Sequence, residues 1–243
     1  MLKELKEMFT TKKGLLVFLA VATALVTAYL NLITLKGTPA FWIFDTGISY
    51  GTVLVSFIPM LIGDLLAEVY GWKKSFIISS VSYTVALIFV FILWGTTAMP
   101  GLVFGQDGFT VDAYNTIFGQ QWSILIGSAI AYYAGVFFNA FIMGKMQKKA
   151  LDSGKDNNVK FFARCIISTV VGQLIDNALF FLIAYMPNAI DPEGTGWGTA
   201  EIVWSYIWQQ IIAAWVIEVG TEMLIFPLTR LITKKAAKLP EEL

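Results

Sequence analysis

The stretch STVVGQLIDNALFF, residues Ser168 to Phe181, decides how this chain is read. It lies inside an apolar run from about Ala163 to Met186, long enough to cross a bilayer as a helix. Yet Gln173, Asp176 and Asn177 sit near the middle of that run. A carboxylate at bilayer depth is costly, so Asp176 is expected to face a protein interior or a wet cavity. Thr169, Gly172, Gln173, Asp176 and Phe180 share one helical face by their spacing. The opposite face, with Val170, Val171, Leu174, Ala178, Phe181 and Leu182, suits lipid or apolar helix neighbours. The helix therefore reads as one wall of a small-molecule cavity inside a membrane protein.

Composition supports that frame. Of 243 residues, 57% are hydrophobic and only 14% charged, and the mean hydropathy is +0.69. A soluble domain carries nearer a quarter charged residues. The charges cluster between long apolar runs, which indicates an all-α integral membrane protein and not a barrel of short alternating strands. Cys165 is the only cysteine, so no internal disulfide can form. Histidine is absent, which removes the usual metal ligand and the usual general base. No phosphate-cradling GxxxxGK[ST] loop, HExxH helix or GxSxG turn occurs, so the chain is not expected to be an enzyme or to need a cofactor.

Six spans are expected. Residues 1–13 form a charged tail, residues 14–232 a six-helix transmembrane domain, and residues 233–243 a second tail. The first span, about Gly14 to Leu35, has a polar face of Thr23, Thr27, Asn31 and Thr34 that either packs on a neighbour or lines an interior. The second runs from near Ala40 to Gly71 and is longer than one crossing needs, with Pro59 the expected break. The third is about Ser75 to Trp94, followed by a long loop from Gly95 to Gln121. The fourth, about Trp122 to Met143, has a small-residue face of Ser128, Ala131, Gly135 and Asn139, with Tyr132 beside it. The sixth is about Ile202 to Leu228. With this arrangement every Lys and Arg except Lys36 falls on one side, which places both termini in the cytoplasm of a plasma- or inner-membrane protein. Trp72, Trp122, Trp197 and Trp204 fall near span ends, as interfacial anchors do.

Flanking charges give depth. Asp64 precedes Lys73 by nine residues, roughly 13 Å along a helix. Asp176 lies twelve residues beyond Arg164 and Glu218 twelve before Arg230, each roughly 18 Å. Acids from three helices thus sit toward the middle of a core about 30 Å thick. Glu68 and Glu222 lie one turn below Asp64 and Glu218. Trp204, Trp208, Ile211, Trp215, Glu218 and Glu222 form a stripe on the sixth span. Aromatic faces above carboxylates suit a planar heterocycle with several N–H donors, because a carboxylate accepts two parallel N–H bonds. The bland alternatives are lipid anchoring for the tryptophans and pairing with Lys73 and Lys74 for Asp64 and Glu68. Gln209 and Gln210 point to different faces, so at most one reaches the same cavity.

The segments DLLAEVYG, Asp64 to Gly71, and STVVGQLIDNALFFLIAY, Ser168 to Tyr185, resemble the queuosine precursor transporter family, of the vitamin-uptake type. GVFFNAFIMGKMQKK, Gly135 to Lys149, and FPLTRLI, Phe226 to Ile232, are similar to it as well. The resemblance implies import of 7-deazaguanines: 7-cyano-7-deazaguanine, 7-aminomethyl-7-deazaguanine or queuine. It implies a fold similar to the substrate-binding components of energy-coupling-factor transporters. It also implies a recognition set of Asp64, Glu68, Gln173 and Asp176 with Asn139 behind them. One departure stands out: many members have Lys where this chain has Glu218, ahead of Glu222 and Pro227. Losing that positive charge favours a cationic ligand.

The expected substrate-binding residues are therefore Asp64, Glu68, Asn139, Gln173, Asp176, Asn177, Trp208, Trp215, Glu218 and Glu222. Trp208 or Trp215 would stack on the heterocycle, and one of the carboxylates would hold a cationic substituent or a coupling proton. The expected partners are the ligand, the lipid bilayer and a second copy in a homodimer, with no direct contact to nucleic acid. Two other readings stay open from sequence: a binding component served by a separate ATP-driven module, and a structural membrane protein without a ligand.

Overall fold

The computed structural model describes residues 9–33, 37–39, 47–49, 52, 55–99, 108–119, 121–154, 157–190 and 200–241. In chain order these form α1 (Lys12–Ile33), β1 (Gly37–Pro39), β2 (Gly47–Ser49), α2 (Phe57–Tyr70), α3 (Trp72–Thr96), α4 (Gly108–Gly119), α5 (Gln121–Asp152), α6 (Asn158–Ile190) and α7 (Ala200–Ala237). The expected tail up to residue 8, Thr34, Lys36, Asp45, Gly51 and the stretch 191–199 with Trp197 lie outside the described residues, as does the side chain of Trp122.

Five helices, α1, α3, α5, α6 and α7, are long and apolar enough to cross a membrane. Their outward faces are largely apolar. Val17, Val21 and Leu25 on α1, Ile77, Val81, Ile88 and Phe89 on α3, and Ile212, Leu224 and Leu231 on α7 are all exposed. A water-soluble protein rarely leaves so large an apolar belt bare, whereas a helix bundle in lipid needs one.

The expected second span is not one long helix. β2 pairs antiparallel with β1, Gly37 opposite Ser49 and Pro39 opposite Gly47. The helix begins only at Phe57 and has 14 residues, roughly 21 Å of rise, short of the hydrocarbon thickness. Pro59 follows the break closely: residues 55 and 56 form a turn between helical Thr52 and α2, about one helical turn before the proline, whose ring opposes the carbonyl four residues back. It sits in the first turn of α2, where the missing N–H has no partner to lose. The loop between the third and fourth spans also differs from expectation, since it carries the 12-residue helix α4.

Close packing is concentrated where glycine allows it. A Cβ added at Gly135 would stand 2.8 Å from Asp176 Cβ, and one at Gly172 would stand 2.9 Å from Asn139 Cβ. Gly127 meets Ala184 in the same way, at 3.0 Å from its backbone nitrogen. With no side chains between them, the backbones of α5 and α6 run together, as small-residue interfaces in membranes do. The small-residue face expected on the fourth span is thus the one that α6 packs against. At one end of the bundle the chain ends are tied together. Lys12 N–H donates to Pro240 O at 2.8 Å, Lys12 Nζ pairs with Glu241 at 2.9 Å, and Tyr70 O–H donates to Lys12 O at 2.7 Å.

Candidate functional site

The α5–α6 seam and the inner faces of α1, α2, α3 and α7 enclose a cavity of about 360 Å³. That size suits a small heterocycle. α6 contributes Gln173, Asp176 and Asn177, as its polar face predicts. α5 contributes Asn139, held against Gly172, and α7 contributes Glu218 and Gln210. α2 contributes Asp64, which is 1% exposed. Thr23, Thr27 and Asn31 of α1 also line it, so that polar face serves the interior. Of the two neighbouring glutamines, Gln210 reaches the cavity.

The acids come together in two groups. In the first, Asn177 Nδ2 donates to Glu218 Oε2 at 2.6 Å, and Asp176 lies close enough to Glu218 to interact with its charge. Neither carboxylate forms an ion pair with a described Lys or Arg. Asn139 Oδ1 is buried and receives no hydrogen bond. The cavity wall therefore presents hydrogen-bond acceptors to whatever enters.

The second group lies nearer the end that holds Arg164 and Arg230. Glu68 does not line the cavity. Its Oε1 accepts from Arg164 Nη2 at 2.8 Å, and the two side chains are 11% and 1% exposed. Glu68 is thus an ion-pair residue, not a cavity residue, and its partner is Arg164 rather than the alternative Lys73 or Lys74. The Arg164 guanidinium also stands over the Phe161 ring at 5.2 Å, and Arg230 over the same ring at 4.4 Å. Phe161, Met143, Ala67 and Cys165 pack with Phe226 into an apolar floor beneath the cavity. Glu222 is fully buried, but beside Asp64 and Cys165 and not in the cavity wall.

The tryptophan assignment fails on geometry. Trp208 is 55% exposed and Trp215 donates its indole N–H to Val170 O at 2.9 Å; neither lines the cavity. Ten residues separate Trp208 from Glu218, which sets them about 80° apart around the helix at 3.6 residues per turn. The apparent stripe therefore splits. Ile211, Glu218 and Glu222 turn inward, while Trp208 turns out. The aromatic surface in the cavity comes from Phe180 and Phe181 on α6 and from Tyr83 on α3 and Tyr132 on α5; the two tyrosine rings stack with centroids 3.8 Å apart and planes 11° from parallel. The Tyr83 hydroxyl is hydrogen-bonded to Ser128. A signal for this wall exists in the sequence: Ser75, Ser79 and Tyr83 recur every four residues in an otherwise apolar span, and Ser75, Ser79 and Tyr83 all line the cavity.

No curated protein and no solved structure matches the chain. A family sequence model with the description "Putative vitamin uptake transporter" matches residues 49–232, which hold every cavity acid and both tyrosines. With a multi-pass apolar bundle and a cavity between its helices that holds acidic and amide side chains, this chain belongs to that vitamin uptake transporter family.

Proposed function

We propose that the protein imports a queuosine precursor, a 7-deazaguanine base, through this cavity. The observation that carries the reading is the pairing of an aromatic face with uncompensated acceptors in one buried chamber. Tyr132, backed by Tyr83, offers a flat surface for the heterocycle. Gln173, Asp176 and the unsatisfied Asn139 Oδ1 offer acceptors for ring and exocyclic N–H groups. Such groups bond strongly to a carboxylate in a desolvated site. Among the described residues Asp176 and Glu218 have no cationic partner, which favours 7-aminomethyl-7-deazaguanine, whose ammonium would supply one.

In this reading the protein sits in the cell membrane with both termini cytoplasmic, and acts as a carrier coupled to an ion or to the precursor gradient. The clustering of basic residues supports the orientation, and the joining of Lys12 to Pro240 and Glu241 supports both ends lying on one side. The test is nutritional. Cells unable to make the precursor, but expressing this protein, should regain queuosine in tRNA when precursor is supplied, and Asp176→Asn should abolish the gain. No recovery with well-expressed wild-type protein rejects the proposal. Uptake by the purified protein in liposomes distinguishes a complete carrier from a binding component that needs an ATP-driven module.

A further inference from the structure

Three side chains from three helices converge at the cavity floor. Asp64 on α2, Cys165 on α6 and Glu222 on α7 bring two carboxylate oxygens and one sulfur within 4.8 Å of one another. They are 1%, 0% and 0% exposed. Neither oxygen of Glu222 receives a hydrogen bond, and neither does Asp64 Oδ2. The groups facing these oxygens are one another and the thiol. Arg164 lies near enough to act on Asp64 electrostatically, but its Nη2 is bonded to Glu68. A fully buried carboxylate with both oxygens undonated is rare and costly, and a second acid beside it raises the cost.

We propose that Asp64, Cys165 and Glu222 bind a divalent transition-metal cation of the zinc type. Two oxygens and one sulfur form a borderline-soft donor set that suits such an ion. Calcium and magnesium are poor matches, since they take six or more oxygen ligands and do not favour sulfur. Three protein ligands leave a fourth position, and Asp64 lines the cavity, so that position faces the chamber through which the ion enters. On binding, the sulfur–metal bond replaces the S–H bond, and the thiol proton leaves through the same chamber to solvent. The bound ion would neutralise the floor and tie α2, α6 and α7 together beneath the substrate. None of this depends on what the cavity carries.

The test uses the full-length protein, purified in detergent and titrated with Co²⁺. Cys165 is the only cysteine, so a thiolate-to-cobalt charge-transfer band can arise from that residue alone. One equivalent of Co²⁺ should produce this band together with d–d absorption of low-symmetry coordination, and Zn²⁺ should displace both. Cys165→Ser should remove the charge-transfer band, and Glu222→Gln should weaken binding at least tenfold. If Glu222→Gln fails to fold, the comparison of wild type with Cys165→Ser still decides, because the band is specific to sulfur. Absence of the band in folded wild-type protein with excess Co²⁺ overturns the proposal, leaving the carboxylates to share a proton. Binding of Co²⁺ without sulfur contribution, equal in wild type and Cys165→Ser, overturns it too.

Discussion

Asn177 on α6 and Glu218 on α7 are joined by a 2.6 Å hydrogen bond inside the bundle, with both residues buried. The amide holds the carboxylate at the cavity wall beside Asp176, its own neighbour in sequence. Asn177→Leu removes the donor and leaves a buried acceptor unpaired. It should lower stability by roughly 1–3 kcal/mol, read as a fall in the thermal unfolding midpoint in detergent. An unchanged midpoint would mean that the amide does not hold the acid in the folded protein.

Charge at position 218 should set ligand preference. Glu218→Lys places a cation beside Asp176 and supplies in the protein what an ammonium-bearing ligand would bring. The ratio of affinities for 7-aminomethyl- over 7-cyano-7-deazaguanine should fall at least tenfold, about 1.4 kcal/mol. Competition binding with the two bases measures the ratio directly. No change would detach Glu218 from recognition.

The two aromatic candidates separate cleanly. Tyr132→Leu should weaken binding of the heterocycle by about 0.5–1.5 kcal/mol, roughly two- to thirteenfold. Trp208→Leu should leave it unaltered, because that ring lies outside the cavity. Equilibrium binding to both variants settles the assignment, and the opposite ranking would restore the tryptophan.

Gly135 and Gly172 should tolerate nothing larger. Gly135→Ala drives a methyl group against Asp176 Cβ at 2.8 Å, so the helices must part. Overpacking of this kind costs about 1–3 kcal/mol. Gly220→Ala, where nothing lies within 4 Å, should be neutral or stabilising by up to about 1 kcal/mol. Parallel melting curves compare the two sites.

Breaking the Glu68–Arg164 pair removes a 2.8 Å ion pair between two largely buried side chains. Glu68→Gln and Arg164→Met should each destabilise by about 3–5 kcal/mol. The double variant should cost less than the sum of the single ones, because the contact is shared. A double-mutant cycle of unfolding free energies measures the coupling.

Much of this site is legible in the sequence because lipid makes polar residues conspicuous. Gln173, Asp176 and Asn177 stand out in an apolar run, and all three line the cavity. Asn139 is legible because the small residues preceding it at four-residue steps mark a close contact. What escapes is azimuth and partnership. Spacing groups Trp208 with Glu218, but a drift of about 80° around the axis separates lipid from interior. Nothing in local sequence shows that Glu68 pairs with Arg164, 96 positions away. The pairing of residues 37–39 with 47–49 hides for another reason: the strands are three residues each, GTP and GIS, too short to show a period of two.

Gly135 and Gly172 also limit how the chamber can exchange its contents between the two faces of the membrane. Sliding α5 along α6 would carry the β-carbon of Asp176 or Asn139 into the opposing main chain. These two helices must then travel as a single body.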